Sequence, residues 1–227
     1  LILARPWSIR DRQEEHLRLL ALMRAGSGLL AGVGIPAITK FGAATIISII
    51  AGPEILGYAE SARVVAHPVL VLGTGLSYVL GPRIMKAAIA RDRTAARHTR
   101  VRFAALIAAA AAAYVLIVGP QWAGNPMVEL VPGAYEVSWL VAASIGANLL
   151  MGPLTLVIQE MTAARKTMSI ALVGAISAPF QIAAAATAGI TGAFARPLSW
   201  AVGSAVRFAG YAPVLDRWYP QGEDPKT

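Results

Sequence analysis

Long apolar blocks separated by short polar breaks set the pattern of this chain. A helix crossing about 30 Å of hydrocarbon needs roughly 20 mostly apolar residues, and six stretches reach that length: 29 to 51, 55 to 80, 103 to 120, 137 to 158, 168 to 190 and 197 to 215. The breaks after the first and fifth stretches are short, that after the fourth is the polar run Gln159 to Thr167, and the longest hydrophilic segment, Arg83 to Arg102, separates the second and third. The pattern predicts an all-α integral membrane protein with six transmembrane helices. Residues 1–24 form a connector, 25–215 the membrane lobe and 216–227 a polar tail, of which Gln221 to Thr227 reads as a disordered end.

Two of the polar segments have helical patterns of their own. Gln13 to Met23 reads as an amphipathic helix lying on the membrane. In the long hydrophilic segment Lys86, Arg93, Arg97 and Arg100 fall on one side of a helix and Ile84, Ala88 and Ala95 on the other, the pattern of a second interfacial helix. That helix reads as a topological anchor without substrate contact. The apolar Leu1 to Ala4, running into Arg5, reads as the inner end of a further span; the alternative is a complete six-span protein.

Composition agrees with a membrane setting. Of 227 residues 56% are apolar and 14% charged, against about 25% charged in soluble domains. A net charge of +8 raises the question of nucleic acid, but the placement of the cations answers it. With the N-terminus cytoplasmic, 16 of the 20 Lys and Arg fall in inside segments and only Arg196 at the outer mouth, which is the positive-inside distribution. The longest outer loop, Gln121 to Glu136, carries only Glu129 and Glu136. Trp122, Tyr135 and Trp139 outside, and Trp218 and Tyr219 inside, read as the aromatic belts of the two interfaces. Both termini are thus expected in the cytoplasm and the protein in the cell membrane. The chain has no cysteine, so disulfides and thiolate metal sites are excluded, and no His, Asp and Glu share a metal-ligand spacing.

An ionisable side chain within hydrocarbon costs about 2.5 to 3.5 kcal/mol on insertion scales, which makes each one a functional candidate. Lys40 lies near the middle of its span, in a helix dense in glycine that also holds Pro36, a composition that permits bending or a break beside a cavity. Lys40 reads as a cation facing a water-filled lumen, or as a lysine neutralised by Glu60. Glu60, Arg63 and His67 share one helix face, so they cannot all face lipid, and Glu60 and Arg63 are spaced to pair. His67 precedes the helix-bending Pro68 and reads as a hydrogen-bonded packing residue rather than a proton-coupled site. Arg207 has Gly203, Ser204, Gly210 and Tyr211 on its face, which points it inward, although its end of the helix is near enough for snorkelling. Glu60 is the one acid this reading places well inside a span.

The run Pro53-Glu54-Ile55-Leu56-Gly57-Tyr58-Ala59-Glu60-Ser61-Ala62-Arg63, followed by Pro68, Gly75-Leu76 and Leu80-Gly81-Pro82 before a basic connector, resembles the start of the second lobe of Wzx-type polysaccharide flippases. These are lipid-linked oligosaccharide exporters of the multidrug/oligosaccharidyl-lipid/polysaccharide superfamily. The outer loop from Gly119-Pro120-Gln121-Trp122 to Pro132-Gly133-Ala134-Tyr135 stands where that family has its longer outer connection. The resemblance implies one lobe of a two-lobe, alternating-access fold that carries an anionic lipid-linked oligosaccharide across the cytoplasmic membrane, with Lys40, Arg63 and Arg207 as cavity cations. It implies no catalysis and no cofactor. Its partners are the lipid-linked substrate, the bilayer, and either a preceding first lobe or a second copy, without nucleic acid. Two other readings stand beside it: a drug exporter of the same superfamily, which needs an acidic cavity, and a six-span enzyme acting on lipid phosphates, which needs clustered acids or a nucleophile.

Overall fold

A computed structural model of the chain describes residues 11–118 and 138–219, with the backbone alone for 11–22, 24, 25 and 138. Leu1 to Ala4, the outer loop with Trp122 and Tyr135, and the tail Gln221 to Thr227 lie outside the described residues, as do the side chains that would make Gln13 to Leu22 amphipathic. Six long helices follow one another: α1 (Asp11–Ala51), α2 (Pro53–Ala90), α3 (Arg93–Val118), α4 (Ser138–Ala163), α5 (Thr167–Ala186) and, after the one-turn α6 (Ala188–Thr191) and a 3-10 turn at Gly192–Phe194, α7 (Ala195–Trp218). Among the described residues there is no strand. Helices α1 to α5 each contain a stretch long and apolar enough to cross a membrane. Helix α7 is of similar length but carries Arg196, Arg207, Asp216 and Arg217.

The order of packing is set by small residues. Helix α1 lies along α5, α5 along α7, α7 along α4, α4 along α2, and α2 returns to α1; α3 fills the groove outside α2 and α4. On α2 the buried positions Ala59, Ala62, Ala66, Val69, Gly73, Ser77, Gly81, Ile84 and Ala88 recur every three or four residues, mostly with small side chains. Such a seam lets backbones approach closely, which is how helices gain packing energy where lipid offers no hydrophobic contrast.

The glycines of α1 serve the same end. A Cβ on Gly28 would lie 3.1 Å from the backbone at the start of α5, and one on Gly32 only 2.7 Å from the side chain of Ile170. The break that this composition permits beside Lys40 is absent: α1 runs as one helix through Pro36, and Gly28 and Gly32 are part of its contact face with α5. The connector helix is likewise continuous with the first span, because nothing between Asp11 and Ile35 interrupts it. Gly52 alone turns the chain from α1 into α2, with φ of 94° and Pro53 opening the next helix. A left-handed φ of this kind favours glycine.

The hydrophilic segment Arg83 to Arg102 is not one interfacial helix. It is split between the end of α2 and the start of α3 by a tight turn, so Lys86 sits on a different helix from Arg93, Arg97 and Arg100. Arg91 adopts φ of 55°, its N–H bonds Ala88 O, and the Asp92 N–H bonds Ala87 O at 2.9 Å. These are the two bonds of a Schellman stop. Asp92 then caps α3, its Oδ1 accepting from the Ala95 N–H at 2.9 Å. Helix α4 ends the same way: Arg165 has φ of 57°, and the Arg165 and Lys166 N–H groups bond Thr162 O and Met161 O.

An arginine thus occupies each left-handed stop where glycine costs less. Arg165→Gly is expected to raise unfolding stability in detergent by about 1 kcal/mol. Arg91 also lies over the Trp218 ring, 4.6 Å from its centroid, so Arg91→Gly should gain less. Thermal unfolding of both variants beside the parent checks the order.

Candidate functional site

Three helices bring charge together at the end of the bundle where α1 turns into α2. Glu60, on α2, accepts from Arg63 one turn further along and, through Oε1, from Arg196 Nε at 2.9 Å. The second contact was not legible as such: Arg196, expected at the outer mouth, is 8% exposed and folds inward. Its Nη1 also donates to Lys40 O at 2.8 Å, which ties α7 to α1. At the centre of the group stands Trp200, one turn after Arg196. Lys40 Nζ lies 5.3 Å from its ring centroid, Arg196 5.2 Å and Arg63 6.0 Å. Cations over an aromatic face are held by the ring quadrupole, more strongly as water is withdrawn.

Glu60 does not neutralise Lys40. Its two oxygens are engaged by the two arginines, and among the described residues Lys40 has no carboxylate at ion-pair distance. Around this point three cations therefore face one anion. Arg207 is the fourth cation on this path and is buried, 4% exposed, so it does not snorkel. It sits two turns along α7 from Trp200, within electrostatic reach of Lys40, and donates through Nε to Ser177 Oγ of α5 at 3.0 Å. Gly203 and Gly210, on either side, admit Gln181 and Val173 of α5. Arg207 Nη2, Trp200 Nε1 and Gln181 Oε1 are buried without a hydrogen-bond partner among the described residues.

His67 departs from expectation. It is exposed and makes no hydrogen bond among the described residues, so the packing partner expected for it is not found among them. With Arg63, Val64, Pro68, Val71 and Leu72 it lines an open groove of about 750 Å³ on the outer face of α2. Pro68 leaves Val64 O without its helical donor on that face. Arg63 thus joins the Glu60 cluster to this groove.

The other end of the bundle holds a group that sequence reasoning missed. Glu160, assigned there to a polar break, is inside α4 and fully buried. Tyr219 donates its hydroxyl to Oε1, and Arg100 Nε stands 3.6 Å from Oε2. Burial and this carboxylate both push the Tyr219 hydroxyl well above the ordinary phenol range, so it keeps its proton and donates. Trp218 donates to Ala88 O at 2.9 Å and lies under Arg91 and Lys166. Trp218 and Tyr219 thus clamp α7 to α2 and α4. Among the described residues no three His, Asp or Glu converge as metal ligands.

Compared with family models, with curated proteins and with solved structures, the chain matches none.

The two members of the cluster should differ in what they hold. Glu60→Gln leaves the guanidiniums of Arg63 and Arg196 uncompensated; with Glu60 31% exposed, below the full cost of breaking a buried pair, the expected loss is about 2 kcal/mol. Lys40→Met removes an uncompensated cation from between the helices, at the loss of one contact with the Trp200 ring, and is expected to raise stability by about 1 kcal/mol. Unfolding of the purified variants in detergent checks both.

Proposed function

We propose that this chain is a six-span lobe of an alternating-access membrane transporter for an anionic, lipid-linked oligosaccharide. The observation that carries the reading is the excess of cation at Trp200: Lys40, Arg63 and Arg196 around Glu60 alone, with Arg207 further along the same helix. Uncompensated charge between apolar helices is costly and is kept where a counter-charge arrives with a ligand. Arg207 Nη2 and Trp200 Nε1 supply further buried donors for an acceptor-rich headgroup. The lipid-linked saccharide is inferred from the resemblance of Pro53 to Arg63 and the residues after it to Wzx-type flippases.

Cover for the α2 groove belongs to the same proposal. Arg63 and His67 lie on the outer face of a helix whose length and composition suit a bilayer, and a polar face does not rest against lipid. A second lobe or a second copy laid over this face would turn the groove into part of a central cavity. Helix α7, too charged to cross alone, crosses with Arg196 and Arg207 turned to α1, α2 and α5. The basic turns at Arg91 and Arg165 then face the cytoplasm. A drug exporter of the same superfamily is less well supported, since both oxygens of Glu60 are engaged by arginine.

In bilayers reconstituted with the complete transporter, Lys40→Ala and Arg207→Ala are expected to slow transfer of an anionic lipid-linked saccharide by about tenfold or more, the loss of one charge-assisted contact each, while membrane insertion is kept. Unchanged transfer in both would sink the transport reading. Single cysteines in this cysteine-free chain test the orientation: Thr94→Cys should react with an impermeant reagent only from the cytoplasmic side and Asn125→Cys only from outside.

A further inference from the structure

Between α3, α4 and α7, at the basic end of the bundle and away from Trp200, two cavities of about 280 Å³ each share Arg100, Ala212 and Leu215 in their walls. One is apolar, walled by Ala104, Pro153, Leu156, Val157 and Phe208, and opens to the surface at Val101, which is 58% exposed. The one nearer the helix ends is a polar mouth with Arg93, Arg97 and Arg100 on one side and Asp216 and Tyr219 on the other. Their relation follows from the helix directions: α3 leaves the basic end as α7 arrives at it, so the arginines of the first two turns of α3 face the last two turns of α7.

The charges of the mouth are unequal. Asp216 is held by Arg93 at 2.7 Å. Arg100 leans back toward Glu160, which lies behind the wall, but at 3.6 Å that contact leaves donors free. Arg97 has no ion pair or hydrogen bond among the described residues and is exposed between the other two. Three guanidiniums thus face one carboxylate across an opening that adjoins an apolar crevice, with Arg100, Ala212 and Leu215 as their common wall.

We propose that this is a binding site for one anionic phospholipid, with its phosphate between Arg97, Arg100 and Arg93 and an acyl chain in the crevice. Charge complementarity selects the headgroup: guanidinium forks suit phosphate oxygens, and basic pockets between membrane helices are sites for acidic lipid headgroups. The crevice selects a tailed ligand over a soluble one, since a free phosphate leaves the apolar wall at Leu156, Val157 and Phe208 unfilled. Arg100 gives the occupant a second effect. A phosphate drawing it outward competes with Glu160 for the same guanidinium and so acts on the contact between α3 and α4. The site requires the helices to lie in a bilayer but does not require the chain to be a transporter.

Native mass spectrometry of the full chain released from detergent tests this, using phosphatidylglycerol, phosphatidylcholine of the same acyl chains, and glycerol 3-phosphate as the tailless headgroup. One phosphatidylglycerol should be retained per chain, at least tenfold more tightly than phosphatidylcholine. Arg97→Ala, on an exposed and unpartnered side chain, should weaken it about tenfold, and Arg97→Lys less. Ala104→Phe, which fills the crevice, should also release phosphatidylglycerol. Equal retention of the two lipids, or Arg97→Ala without effect, overturns the site. Glycerol 3-phosphate competing as well as phosphatidylglycerol overturns the lipid and leaves a free-phosphate site.

Discussion

A charge inside a helical bundle of this composition has no water to solvate it, so helix positions must be arranged around the charges that are present. Glu60 is the point at which this requirement is met. One carboxylate takes Arg63 from its own helix and Arg196 from α7, and Arg196 in turn reaches the backbone of α1 at Lys40. The consecutive helices α1 and α2 and the distant α7 are thereby fixed at one point, and the register of the α2 and α7 seams follows from it. Moving either helix by one residue would swing Glu60 or Arg196 out of the interior.

The opposite end repeats the solution with different groups. Glu160 of α4 receives Tyr219 and faces Arg100, and Trp218 closes onto Ala88. Helix α7 is therefore held at its start by an acid on α2, at its finish by an acid on α4 and the backbone of α2, and at its middle by Ser177 of α5. Between these ties its face toward α5 is lined with glycine and serine, which keeps Arg207 within reach of Ser177. On the Trp200 side three cations share the single acid Glu60, whereas Glu160 has a hydroxyl partner in Tyr219 and a basic one in Arg100 to itself.

Much of the architecture was legible from block lengths alone, because about 20 apolar residues in a row have few other structures available. Five helices long and apolar enough to cross a membrane are found where the blocks placed them. The pairing of Glu60 with Arg63 and the inward turn of Arg207 also follow from face and spacing, whereas the place of Lys40 beside Trp200 depends on how separate helices pack. The errors have a common cause: polar residues near the ends of blocks were assigned to water. Arg196 and Glu160 lie within helices and are buried. A signal was available for the first. Arg196, Trp200, Ser204, Arg207 and Tyr211 recur at helical spacing and form one polar stripe along α7, the pattern of an inward face rather than of a mouth. No comparable signal marked Glu160, because its partners Tyr219 and Arg100 are about sixty residues away on either side. The glycines of α1 misled in another way. Their number suggested flexibility, while their spacing, Gly28 and Gly32 with Ala43 and Ile47 beyond, recorded a helix seam.

The charge pattern of α7 has a consequence for how the protein is made. Arg207, in the middle of α7, costs about 2.5 to 3.5 kcal/mol in a helix entering lipid by itself, and Arg196 at its start adds to that cost. The groups that accept its arginines, Glu60, Lys40 O and Ser177 Oγ, all lie on helices synthesised earlier. On the six-span reading proposed above, entry of α7 into the bilayer is a folding step rather than a partitioning step, since it waits on the assembled α1, α2 and α5.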